Sequence, residues 1–301
     1  MRSHPPALLK ILERTLVEEC RIERGDRILI AVSGGGDSAA LLHAASRLSR
    51  RLEFSLHAHG VDHGLRAEAR AELDLAEKLA LSCGVGFDRS RVALPVGSNV
   101  QARAREARYR ALRRAARARD ANLIATAHHA DDRAETVLLR LLRGAGPRGL
   151  SVLPPRSGDL IRPLVRARKR DIRAHLVRHH VPFAEDLSNH DRRYLRVRVR
   201  LELMPLLESL SPQIVSNLNA LADELAAGPP PVVLDELGHP LALGRAQIRA
   251  LRHAQARGLL GARVLLSGGR ALGIDPKTRL PVLVEAPGVR AGAVKSRGSE
   301  P

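Results

Sequence analysis

The run Ser33-Gly34-Gly35-Gly36-Asp37-Ser38 brings together the residue types that phosphate chemistry needs. Three consecutive glycines let backbone N–H groups converge on an anion with no side chain in the way. Ser33 and Ser38 offer hydroxyl donors, and Asp37 can hold Mg2+ against the phosphates. The preceding run from Arg27 to Val32 reads as a buried strand and the following AALLHAASRL has helical periodicity. The loop would therefore open onto a helix N-terminus, whose dipole adds positive potential. The GxxxxGK spacing of a Walker loop and the GxGxxG spacing of dinucleotide binders are both absent. A tight structural turn between strand and helix is the competing reading of the glycines alone.

A second group follows the apolar run Asn122 to Ala127. Asp131, Asp132 and Glu135 would lie at that strand's C-terminal end, where doubly wound folds keep their sites. Asp132 and Glu135, three residues apart, share a helix face. Ordinary stabilisation of a helix start by acidic side chains accounts for the same residues. His128 and His129 are adjacent, so they point apart, and no third ligand is spaced to complete a metal site. His63 and Arg66 would sit in a loop after the second strand, facing either a nucleotide or solvent. Eight arginines, among them Arg105 and Arg108, crowd residues 103–119, too many to pair with Glu106 and Asp120. They read as RNA phosphate contacts or as a solvated basic face, and Arg196, Arg198 and Arg200 pose the same choice.

Positioning these residues requires a regular frame. Strands are expected at 27–32, 52–59, 86–92 and 122–127, alternating with helices at 68–83, 100–119 and 132–143, which implies a parallel, doubly wound, Rossmann-like α/β sheet. Further helices are expected near 168–180 and 195–210. The catalytic domain, with a helical extension, would occupy 1–212, and a small C-terminal α+β domain 213–301. Ala226-Ala-Gly-Pro-Pro-Pro231 would be a linker or turn, because consecutive prolines cannot continue a helix.

Composition narrows the partners. The 301 residues exceed the usual size of one compact domain, and a net charge of +18 favours a polyanion, nucleic acid first; an Arg-rich surface without a partner is the alternative. Aromatics are only 2% of the chain, which argues against base stacking on an aromatic sheet. The cysteines, Cys20 and Cys83, form neither a metal cluster nor a disulfide framework and suit a reducing cytoplasm. No stretch reaches the apolar length of a membrane span, and the first residues lack the apolar core of a signal peptide.

The loop SGGGDS resembles the SGGxDS signature of the N-type ATP pyrophosphatases, the PP-loop superfamily with an adenine nucleotide alpha hydrolase-like fold. Within it, Val61-Asp-His-Gly-Leu-Arg66, Ala104 to Leu112, Ala125 to Gly146, Ile161-Arg-Pro-Leu164, Asp186-Leu-Ser-Asn189 and Arg196-Val-Arg-Val-Arg200 together resemble the tRNA(Ile)-lysidine synthetase family. The resemblance covers roughly residues 25–210. It departs at Arg133, where the family usually has Gln, and at Val197, where it has Asn. The part from about 213 is shorter than in many members.

The resemblance implies that ATP, with Mg2+ on Asp37 and Asp132, adenylates O2 of cytidine 34 in tRNA(Ile) with a CAU anticodon. Free L-lysine then displaces AMP at C2, with Asp132 expected to bind Mg2+ or lysine and Glu135 lysine. His63, Arg66, Arg105, Arg108, Arg196 and Arg200 are candidate nucleotide or tRNA contacts, the C-terminal domain is expected to bind tRNA, and the resemblance implies a homodimer. Thiolation by a related enzyme, or a nucleotide-binding protein that docks RNA without catalysis, are the alternatives.

Overall fold

The computed structural model describes residues 7–62, 69–92, 100–184, 194–228, 233–234, 240–266, 270–278 and 280–285. Two compact units divide at Ala226/Ala227.

The first unit alternates helix and strand: α1 (Leu8–Arg14), β1 (Arg27–Val32), α2 (Gly36–Leu52), β2 (Ser55–Asp62), α3 (Ala69–Ser82), β3 (Gly86–Arg91), α4 (Val100–Ala118), β4 (Leu123–Ala125) and α5 (Ala130–Leu141). There follow α6 (Pro147–Leu150), the short strands β5 (Arg156–Ser157) and β6 (Leu160–Ile161), α7 (Lys169–Arg178), α8 (Leu195–Arg198), α9 (Met204–Leu210) and α10 (Ile214–Ala226). A single π-helical turn, Val199–Leu203, joins α8 to α9.

The sheet order is β3-β2-β1-β4-β6-β5, parallel except for the edge strand β5, which runs antiparallel to β6. Residues 156–161 carried no strand signal in the sequence because two-residue strands are too short to show a period. β1 and β4 are central and their apolar residues are buried, as a parallel sheet covered on both faces demands. Leu12, Leu41, Leu42, Ile172 and Leu176, from α1, α2 and α7, pack on one face. Leu112 and Ala116 of α4 pack with Leu29 and Ile124 on the other.

The direction of winding reverses between β1 and β4, and the crevice beyond their C-terminal ends is where such sheets bind ligands. The expected boundary at 212 falls short, because α10 belongs to this unit. Val215, Leu218 and Ala222 share a core with Ala134 and Val137 of α5, and Asn219 Nδ2 donates to Ala130 O at 2.9 Å.

The second unit, described by itself, has α11 (Arg245–Arg257) and an antiparallel sheet of β7 (Val264–Leu265), β8 (Arg270–Ile274) and β9 (Pro281–Glu285). Its core is Val233, Leu251, Ala254, Leu272 and Ile274.

Candidate active site

The glycine loop is held rigid from both sides. Gly34 adopts φ +83°, and a Cβ there would lie 2.3 Å from the carbonyl oxygen of Glu72 in α3. Its own carbonyl accepts from Ala184 N at 2.9 Å. Ser38 Oγ donates to Gly35 O at 2.9 Å and accepts from Ser33 N at 3.2 Å, closing the turn internally. Gly35 is the N-cap of α2 and offers no side chain, so no side chain caps the helix start. Asp37, in the first turn, faces the end of β4.

At that end His129 is the N-cap of α5. Its Nε2 lies 3.6 Å from Asp37 Oδ2 and 3.4 Å from Asp132 Oδ2, and its Nδ1 3.6 Å from Asp131 Oδ2. The N–H of Asp132 also points at Nδ1 from 3.3 Å, an acceptor role open only to the neutral ring. The carboxylates prevail: burial alone would keep His129 uncharged, but Asp131, Asp37 and Asp132 hold it protonated, with a pKa pushed up to about 10. Asp37 is the converse case. Burial pushes it up, yet His129 and Lys169 bring it down to about 2. Lys169 Nζ donates to Asp37 Oδ1 at 2.5 Å from the first turn of α7.

Asp131 faces α7. It accepts from Arg168 Nε at 3.0 Å and Lys169 N at 2.7 Å, and these contacts with His129 outweigh burial to lower it to about 2. Asp132 accepts from His129 N at 3.2 Å, which caps the helix, and from Arg196 Nη2 at 3.0 Å. Its pKa is lowered: burial is opposed first by His129 and then by Arg196. Glu135, only 3% exposed, is clasped by Arg200 at 2.7 and 2.9 Å and by Arg196 at 3.3 Å. The cap thus falls on Asp132, a residue of the acidic trio, and a capping role does not exclude a site role there.

The structure brings Asp37, Asp132 and Glu135 together at the crevice, with Ser33 to Ser38 beside them. Arg196 and Arg200 turn onto the α5 carboxylates. Arg105 and Arg108 sit over the Tyr109 ring, at 5.0 and 5.7 Å, and Arg105 Nη2 donates to its hydroxyl. Other arginines of 103–119 pair with acids: Arg113 with Asp159, Arg119 with Asp88, Arg110 with Glu106. Burial pushes the His128 pKa down to about 3, and its Nδ1 bonds Thr126 Oγ1 at 2.9 Å. His63, Arg66 and Asp186 to Asn189 lie outside the described residues.

Sequence reasoning missed the cations. Lys169 pairs with Asp37, Arg168 with Asp131, and protonated His129 with Asp37, Asp131 and Asp132, and the signal for the first two was only the basic run at 166–170. Arg133, the departure from Gln, is wholly buried. It donates from Nε to Val152 O at 2.9 Å and places Nη1 2.7 Å from Asp223 Oδ1 in α10.

The profile of the PP-loop domain matches residues 8–207. The chain belongs to the PP-loop family. This family's domain uses ATP. Among relatives, the tRNA(Ile)-lysidine synthase of Thermosipho africanus is 37% identical over 213 residues, covering 68% of this chain and 50% of that protein. That of Symbiobacterium thermophilum is 40% identical, covering 72% and 47%. That of Novosphingobium aromaticivorans is 41% identical, covering 68% and 63%. The chain spans about half the length of the first two relatives. A solved U34-tRNA thiolase, NcsA from Methanococcus maripaludis, superposes with a TM-score of 0.62 at 16% identity, over 74% of this PP-loop chain and 80% of its own, and shares the fold. Among the described residues no helix is long and apolar enough to cross a membrane.

Proposed function

We propose that the protein ligates L-lysine to C2 of cytidine 34 in tRNA(Ile) with a CAU anticodon, at the expense of ATP. The observation that carries this is the convergence of Asp37 and Asp132 on one ring nitrogen of His129, with Glu135 one turn further along α5. It occurs at the switch point of a chain 37% to 41% identical to tRNA(Ile)-lysidine synthases.

The chemistry suits the residues. A pyrimidine carbonyl oxygen is a poor leaving group, so O2 first attacks the α-phosphorus of ATP and pyrophosphate departs. The N–H groups of the Gly34–Gly36 loop and the start of α2 face that displaced charge. The lysine ε-nitrogen then bonds to C2 and AMP leaves with the O2 oxygen. The ammonium must first lose a proton, which at pH 7 costs about 4–5 kcal/mol against a reference pKa near 10.4. Asp132 and Glu135 orient the amine and accept that proton. In doing so the lysine displaces Arg196 and Arg200, which are then free to meet RNA phosphates.

Asp37 and Asp132 are the residues that would hold a Mg2+ ion, since their carboxylates lie on the same side of the crevice, either side of His129 Nε2, and Mg2+ ordinarily takes one or two carboxylates plus substrate phosphates. Such an ion would neutralise charge on the departing pyrophosphate. Among the described residues no three His, Cys, Asp or Glu side chains form a cage by themselves.

Release of pyrophosphate from ATP should require the tRNA(Ile) transcript and fail with elongator tRNA(Met), which shares the CAU anticodon. Equal release with both RNAs, or without RNA, would contradict this assignment.

A further inference from the structure

Three imidazoles that the carboxylate site does not use meet between α2 and α7. His43 Nδ1 lies 2.9 Å from His175 Nε2, so the two rings share one proton. The ring centroids of His43, His175 and His179 are 4.5 to 5.2 Å apart. Helical spacing produces the cluster: His175 of α7 is one turn from His179, the C-cap of that helix, as His43 is from Arg47 on α2. Beside the rings a cavity of about 390 Å3 opens to solvent, lined by His43, Arg47, Ser82, His179, His180 and Pro182 among others. Leu79 and Pro182 line both this cavity and the tight packing beneath Gly34 and Ser38. The cavity is therefore behind the glycine loop, not part of it.

Its charge is one-sided. Among the described lining residues there is no carboxylate. Arg51, one turn beyond Arg47, pairs with Glu13 at 2.6 Å, whereas Arg47 pairs with no acid among the described residues. Burial, and then the mutual repulsion of the rings with Arg47 and Arg178, lowers His175 to about 4, and His43 and His179 are lowered too. The rings are thus neutral at pH 7 beside an uncompensated guanidinium. A multiply charged anion in the cavity would both pair with Arg47 and make protonation of a neighbouring ring favourable.

The geometry points to a second phosphate-binding pocket, between α2, α3 and α7, that takes free phosphate or pyrophosphate and draws one proton from solvent onto the histidine cluster. A recessed cavity suits a small free anion better than a polynucleotide backbone, which tracks open basic grooves. The inference does not rest on the ligation reaction.

The test uses the full chain labelled with 15N at histidine, its glycine loop saturated with a non-hydrolysable ATP analogue. Imidazole resonances are followed while inorganic phosphate or pyrophosphate is added between pH 6.5 and 8. The expected result is saturable movement of the His43, His175 and His179 signals, with affinity tightening as pH falls by up to about tenfold per pH unit for one coupled proton. Arg47→Gln should weaken this at least tenfold while its melting temperature and ATP-analogue affinity stay unchanged. Rings that do not respond, or an Arg47→Gln protein that binds like wild type, would overturn the pocket. Movement on adding a tRNA transcript but not the free anions would overturn the assignment to a small anion.

Discussion

Replacing Gly34 by alanine would set a methyl carbon 2.3 Å from the Glu72 carbonyl oxygen and 2.7 Å from its carbonyl carbon. These are backbone atoms inside α3, so nothing flexible can give way. Two costs add. An L-residue at φ +83° carries about 1–2 kcal/mol of left-handed strain. Forcing α3 and the loop apart adds about 1–3 kcal/mol, the usual range for overpacking. Gly25 provides the control, because it has φ +88° and nothing within 4 Å of its hypothetical Cβ. Gly25→Ala should therefore show the strain alone. For a unit of this size about 1 kcal/mol moves the melting temperature by about 2–4 °C. Gly34→Ala should melt clearly below Gly25→Ala, and only Gly34→Ala should lose ATP affinity, by about tenfold or more, measured by equilibrium dialysis with Mg2+. Equal melting points, or intact ATP binding in Gly34→Ala, would refute the argument that α3 fixes the shape of the loop.

Because His129 is raised to about 10, its pairing contributes fully below pH 6.5 and is lost as pH rises through 10. Urea unfolding of the wild type should weaken across that window more steeply than that of His129→Gln, and parallel profiles would contradict the imidazolium. The contributions of Asp37 and Asp131, both lowered to about 2, are present above pH 4 and should disappear as pH falls through 2. Asp223→Ala should cost about 3 kcal/mol in urea unfolding, since it leaves the wholly buried Arg133 guanidinium without its nearest carboxylate; a loss below about 1 kcal/mol would show that Arg133 needs no counter-ion. Arg200→Ala should cost about 1–2 kcal/mol, less than a fully buried pair because Arg200 is 35% exposed. A double-mutant cycle with Glu135→Gln should then show coupling above about 0.5 kcal/mol, and additivity would deny the pair.

The parts of the site that were legible in the sequence are those in which chemistry and position come from one contiguous stretch. Strand, glycines, Asp37 and helix follow one another in 27–52, and β4 leads directly into Asp131, Asp132 and Glu135. Their cations could not be read the same way. Lys169 reaches Asp37 only because α7 packs against α2, and Arg196 and Arg200 reach Glu135 from a helix whose approach depends on the α5 core. As charge alone those arginines were indistinguishable from an RNA-facing surface. The boundary at 212 failed for a similar reason. The residues that seat α10 on α5, Val215, Leu218 and Ala222, have helical spacing, but spacing does not name the surface they cover.

The most direct test of the central claim is incorporation of labelled lysine into a tRNA(Ile) transcript with a CAU anticodon, with elongator tRNA(Met) alongside. ATP-dependent label in the isoleucine transcript alone, abolished by Asp37→Ala in a protein that still folds, is the predicted result. Absence of label while pyrophosphate is still released in response to that tRNA would mean that the crevice activates the base for a nucleophile other than lysine.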